Sequence, residues 1–190
     1  MSSGVIRSFI AVDLDDTVRE AIAGFQRTLT ATGADLKLVE TQNIHITLSF
    51  LGDVVVGAIA EICRVVDDVK FRPFEVELKG VGVFPNMSRI NVVWIDIVKG
   101  SETLRDIFNQ LQPGIGRLGL RPDDRGFSPH ITVARVRSGR NKDRLSKIVL
   151  DTQDSEFGKM IVEAVRLKRS VLTPEGPIYS TLHEVSATKT

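Results

Sequence analysis

The tetrapeptide His45-Ile46-Thr47-Leu48 returns 85 positions later as His130-Ile131-Thr132-Val133, and the two copies hold two of the three histidines in the chain. Alternating polar and β-branched or aliphatic residues predict a half-buried strand, in which side chains at i and i+2 share a face. His45 and Thr47 then point one way and Ile46 and Leu48 enter a core; His130 and Thr132 separate likewise from Ile131 and Val133. The surroundings repeat as well. Ser8–Leu14 and Asn91–Ile97 read as strands, each followed by an amphipathic stretch, Asp15–Leu29 and Ser101–Leu118. Asp13 precedes His45 by 32 residues and Asp96 precedes His130 by 34. A helical pattern follows each His strand, over Val55–Val69 and Asn141–Val149. The chain is expected to be one unit used twice.

Further strands are expected over Phe74–Phe84, with a turn at Pro85-Asn86 and a return through Arg89–Val98. Lys159–Leu172 and Pro177–Val185 are also strand-like, with Thr173-Pro174-Glu175-Gly176 between them as a turn. The fold class expected is α+β: a bilobal pseudo-two-fold duplication, with two mainly antiparallel sheets facing a central groove and helices on their outer faces. The whole chain, 1–190, forms one bilobal domain in this reading, with approximate repeats 5–88 and 89–186 and strand exchange between the lobes. The two His-x-Thr strands would occupy opposite walls.

Composition bounds the function classes. A hydrophobic content of 42% with 26% charged residues fits a globular core and excludes extensive disorder. No apolar run approaches the roughly 20 residues of a membrane span. Met1–Gly4 leads into a strand without the basic and hydrophobic regions of a secretory signal, so a cytoplasmic protein is expected. Cys63 lies on the apolar stripe Ile59-Ile62-Val66 and is expected to be a small core residue rather than a nucleophile. The absence of a coiled-coil repeat leaves a monomer as the expectation. Formal net charge is only +1, which excludes a generic nucleic-acid coat, but Arg117–Lys147 carries +6 and the remainder −5. That basic stretch brackets His130 and would draw an anion there.

Two imidazoles facing one groove could serve the two proton transfers of an acid–base reaction. Thr47 and Thr132, each beside a histidine, could donate hydrogen bonds to phosphate oxygens. Arg135 is a secondary phosphate candidate: five residues after His130, strict alternation puts it on the wrong face unless a bulge returns it. Phe9 and Trp94, in corresponding strands, are candidates for stacking on bases, against core packing. His183 lacks a threonine at i+2 and is expected to be structural. Gly80-x-Gly82 and Gly114-x-Gly116 lack the rest of a phosphate-loop fingerprint. With two distant histidines, one cysteine and no paired-cysteine or HExxH motif, neither a metal nor a cofactor is expected.

The paired His-x-Thr motifs resemble the signature of the 2H phosphoesterase superfamily. Arg7–Leu14, Gly80–Pro85, Phe127–Arg135 and Leu172–Tyr179 are similar to its RNA 2',3'-cyclic phosphodiesterase branch, the 2'-5' RNA ligases, so the resemblance spans nearly the whole chain. It implies metal-independent hydrolysis of RNA 2',3'-cyclic phosphate ends to 2'-phosphomonoesters, with reversible 2'-5' ligation as a second activity and tRNA halves among the partners. His45 and His130 would be catalytic, either one acting as acid or base. A non-catalytic nucleotide- or RNA-binding module on the same fold is the alternative.

Overall fold

Asp15 follows the first strand and caps the first helix: its carboxylate accepts from the Val18 backbone N–H at 2.8 Å, satisfying one of the helix's unpaired donors. Elements on this scale follow one another throughout the computed structural model, which describes residues 4–120 and 126–188. In chain order they are β1 (Val5–Asp13), α1 (Asp16–Ala31), β2 (Leu36–Leu38), β3 (His45–Val55), α2 (Ile59–Asp67), β4 (Phe74–Asn86), β5 (Arg89–Lys99), α3 (Ser101–Arg117), β6 (His130–Val136), α4 (Lys142–Asp151), β7 (Glu156–Val162), β8 (Ala164–Leu172) and β9 (Pro177–Ser186).

The fold is α+β, with two antiparallel sheets. One has the order β3-β1-β8-β9 and the other β2-β6-β5-β4-β7. Each sheet therefore draws strands from both sequence repeats: β4 joins the second sheet, while β8 and β9 return to the first. The helices cross over too. α1 follows a strand of the first sheet but packs under β6 and β7 of the second, whereas α3 follows β5 and packs beside α2 under the first sheet. Gln26 of α1 fastens this exchange, since its buried amide donates to Val39 O at 2.7 Å and Val133 O at 2.9 Å. On the other side, Gly114 of α3 presses against Val65 of α2, where an added Cβ would sit 2.6 Å from two methyl groups.

Ile46 and Ile131 are fully buried beneath their strands. At about 1.5–3 kcal/mol for each buried aliphatic side chain, such anchors fix which strand face is left for chemistry.

Several boundaries depart from the sequence expectations. Lys159–Leu172 is two strands, parted at Glu163, because β7 pairs with β4 and β8 with β1 in different sheets. The turn between β4 and β5 is Met87-Ser88 rather than Pro85-Asn86. Asn86 closes it, its side-chain oxygen accepting from Arg89 N at 3.0 Å. The helix expected from Val55 begins only at Ile59, since Val54 and Val55 stay paired with Ile6 and Val5. β2 is too short to leave a periodic signal and exists because β6 offers it a partner. Arg121, Asp123, Asp124 and Arg125 of the basic stretch lie outside the described residues.

Candidate active site

A groove of about 370 Å³ lies between the sheets. From the first sheet it is lined by Phe9, His45, Thr47, Phe50 and Tyr179, among others, and from the second by His130, Thr132 and Arg135. Both His-x-Thr pairs thus reach one cavity. In register, His45 lies opposite Asp13 and His130 opposite Asp96, so the similar spacing seen in sequence becomes a pair of matching cross-strand positions.

An irregularity repeats along with the motif. β3 carries an extra residue at Leu48 against β1, where Ala11 pairs with Thr47 and Ile10 with Ser49. β6 carries one at Val133 against β5, where Trp94 pairs with Thr132 and Val93 with Ala134. Consecutive burial of Leu48-Ser49 and of Val133-Ala134 has the same origin. A bulge inverts alternation beyond it. The residue five after each histidine, Phe50 in one copy and Arg135 in the other, therefore faces the groove beside the imidazole. This is the bulge that strict alternation lacked, and it places Arg135 in the cavity.

Each imidazole is held the same way at one nitrogen. His45 Nδ1 lies 2.7 Å from the Asn43 carbonyl and His130 Nδ1 lies 2.7 Å from the Ser128 carbonyl. A carbonyl only accepts, so each Nδ1 carries a proton, and Nε2 is left as the nitrogen that gains and loses one. The other ends differ. His45 Nε2 is 2.9 Å from Thr47 Oγ1, whereas His130 and Thr132 share no such bond. Burial pulls the His45 imidazole below its usual 6.5, outweighing the Asn43 carbonyl and the Asp13 carboxylate, which favour the cation. Asp13 is itself engaged by Lys168 at 2.7 Å and Arg166 at 3.3 Å.

Aromatic rings support both histidines. Phe9 lies 4.8 Å from the His45 ring and 4.8 Å from Tyr179. On the opposite wall Phe84 lies 5.1 Å from His130 and stacks at 5.1 Å on Trp94. Gly82 faces Trp94 across the strands, and a Cβ there would come within 2.2 Å of the indole, so the glycine is what lets that ring lie flat. These placements bear on the stacking roles expected for Phe9 and Trp94. Phe9 is 3% exposed, covered by His45 and Tyr179, and half-buried Trp94 packs on Gly82 and Phe84 outside the groove lining. Both rings pack near the imidazoles, and buried Phe9 offers no open face to a base. The open aromatic in the groove is Phe50, 53% exposed, with the Arg7 guanidinium 5.0 Å from its centroid.

Phe50 and Tyr179 were missed from sequence. Matching the fifth residue after each histidine would have found Phe50; Tyr179 comes from β9, which nothing local ties to the motif. Burial pushes the Tyr179 phenol above its usual 10, against the pull of Arg135 and Arg7, so it stays a hydroxyl donor. His183 is elsewhere, bonded to Asp67 at 2.7 Å and joining β9 to α2.

This is an α+β fold with two paired histidines in one groove, and comparison with known proteins places the chain in one family. The LigT-like phosphoesterase family matches twice, over residues 12–94 and 95–179, each span holding one His-x-Thr motif. The chain belongs to that family. It is 44% identical over 177 residues to the RNA 2',3'-cyclic phosphodiesterase of Methanothermobacter thermautotrophicus, covering 92% of this chain and 95% of that protein. It is 39% identical to the protein of the same name from Aeropyrum pernix, covering 87% and 94%. A crystal structure from Thermus thermophilus superposes with a TM-score of 0.79 at 28% identity, covering 95% of this chain and 97% of that one. No helix among the described residues is long and apolar enough to cross a membrane.

Proposed function

We propose that this protein hydrolyses RNA 2',3'-cyclic phosphate ends to 2'-phosphomonoesters by acid–base catalysis between His45 and His130. The observation that carries the reading is the matched pair of imidazoles on opposite walls of one groove, each with Nδ1 tied to a backbone carbonyl, which leaves Nε2, bonded to the Thr47 hydroxyl in His45, as the nitrogen for proton transfer. One Nε2 takes a proton from water as its oxygen attacks phosphorus. The P–O3' bond breaks, and the other Nε2 delivers a proton to O3'. Thr47, Thr132 and Arg135 hold the non-bridging oxygens as charge grows on them. The chemistry needs no metal and no covalent nucleophile. Ligation follows the same course with a 5'-hydroxyl in place of water, giving a 2'-5' linkage as the P–O3' bond breaks, and attack of O3' on that linkage is its reverse. RNA ends of this kind, including tRNA halves, are the partners.

Phe50 takes the base-contacting role first considered for Phe9 and Trp94, because its ring is open to the groove and rimmed by Arg7. A purely binding module would use Phe50 and Arg135 but has no use for two imidazoles with matched tautomers.

The test is incubation with an oligonucleotide ending in a 2',3'-cyclic phosphate, in excess chelator, followed by identification of the end. A 2'-phosphate is expected. A 3'-phosphate would reverse the leaving oxygen, and binding without conversion would leave only the module.

A further inference from the structure

We propose that a second cavity, at the end of β6 remote from His130, is an anion site that holds the phosphodiester backbone of the RNA strand whose end occupies the groove. It takes up about 290 Å³ and is lined by Arg89, Arg137, Arg140 and Lys142, with Ser88 and Ser138 between them. That volume is at the small end for ligand sites, which run to roughly 300–1,000 Å³, and suits a phosphate group with its water. The proposal rests on the reading of RNA as substrate.

Four cations and no carboxylate line this cavity. Among the described residues none of the four lies within ion-pairing distance of an acid, whereas Arg166 and Lys168 of β8, outside this cavity, are both paired with Asp13. Uncompensated like charges repel, and an anion relieves that repulsion. Two of the cations are held by neutral acceptors instead: Arg140 Nε donates to Gly33 O at 3.1 Å, and Lys142 Nζ donates to Ser88 O. Those bonds fix the heads without cancelling their charge. Asn141 locks the loop between them, with φ 53° and its side-chain amide donating to Gly33 O at 3.0 Å. The walls are thus preorganised by the α1–β2 loop, the β4–β5 turn and the first turn of α4.

Position connects the cavity to the groove. Beyond the Val133 bulge, Arg137 follows the last residue of β6 and stands two residues after Arg135. Arg137 N bonds to Asp35 O at 2.8 Å, so the strand runs on beside the start of β2. Lys37 pairs with Arg135 and also lines the groove. A cationic track therefore leads from His130 past Lys37 and Arg135 to Arg137, a path of roughly 20 Å at about 3.3 Å per residue. A single nucleotide in the groove cannot span it, but an oligonucleotide can.

The experiment compares a nucleoside 2',3'-cyclic phosphate with a decamer bearing the same end, using wild type and the double variant R89E/R137E. Neither of these two side chains hydrogen-bonds to the rest of the described protein. The double variant should leave kinetics on the mononucleotide unchanged, which also reports an intact fold. For the decamer, KM should rise about tenfold or more and the salt dependence of affinity should fall by about one to two counterions. Equilibrium binding of the same decamer by fluorescence anisotropy reads the site without turnover, and Kd should weaken in parallel. Unchanged decamer affinity, or equal losses on both substrates, would overturn the site. Failure of wild type to turn over the mononucleotide would break the hydrolase reading alone, since the anisotropy result still decides this one.

Discussion

The two walls of the groove carry the same four-residue motif, the same bulge and the same Nδ1-to-carbonyl bond, yet they place their histidines in different surroundings. His45 has Thr47 on its working nitrogen, Phe9 and Tyr179 against its ring, and a burial that disfavours the cation. His130 has its Nε2 free of Thr132 and is bordered by Phe84 and Trp94. After the bulge, one wall presents an aromatic ring and the other a guanidinium. Two similar strand frames thus hold their imidazoles in unlike environments, the kind of difference from which the proposed acid–base pair would draw its two roles. The difference lies in what surrounds the imidazoles rather than in the motif.

The largest effect expected is loss of either imidazole. His45→Ala and His130→Ala should each lower kcat by about 10²–10⁴ while circular dichroism and thermal melting stay near wild type. If one substitution were silent, the walls would not be a pair. Next come the hydroxyls. Thr47→Val and Thr132→Val should each cost about a hundredfold in kcat as a donor to the transition-state oxygens is removed. Only Thr47→Val should also shift a limb of the pH–rate profile, because only Thr47 bonds to a catalytic nitrogen. Equal shifts in both variants would erase the asymmetry claimed here.

A third substitution acts through the support of one wall. Gly82→Ala drives a methyl into Trp94 and through it disturbs Phe84 and His130; overpacking of this kind costs about 1–3 kcal/mol. Urea unfolding should register that loss, and turnover should fall with it. Full stability in the variant would mean the indole is not seated as described.

A smaller effect concerns acid sensitivity. With its folded-state pKa lowered, His45 binds its proton less readily in the fold than in the unfolded chain. Above about 6.5 both states are neutral there and nothing is lost; as pH falls through that value towards the folded pKa, the unfolded chain gains protons first and stability declines. His45→Gln should therefore lose less stability than wild type between about pH 7 and pH 5. Parallel losses would contradict the burial effect. Smallest of all, His183→Ala should leave turnover unchanged and cost under about 1 kcal/mol, as befits a half-exposed pair with Asp67.

Much of this site was legible from residues alone, and for a physical reason. His45, Thr47, His130 and Thr132 belong to strands whose period of two fixes their face relative to the buried Ile46 and Ile131. Arg135 and Phe50 required the bulge, which depends on pairing with β5 and β1 and leaves no mark in a single strand. The repeat put Phe9 and Trp94 in corresponding strands, but whether such a ring is open or covered depends on partners from β9 and β4. The crossing of α1 beneath the second sheet, and the return of β8 and β9 to the first, were likewise hidden. Short-range patterns describe elements, whereas Gln26, reaching Val39 and Val133, is a long-range contact that only the assembled fold defines.

The central claim is that protons move through His45 and His130 and no other groups, and pH–rate profiles of wild type and the two alanine variants test it most directly. Wild type should give a bell whose limbs belong to the pair as a whole. Each variant, measured at enzyme concentrations that reveal residual turnover, should lose one limb, and the two should lose opposite limbs. A bell persisting in both would assign the protons elsewhere and leave the imidazoles as phosphate ligands.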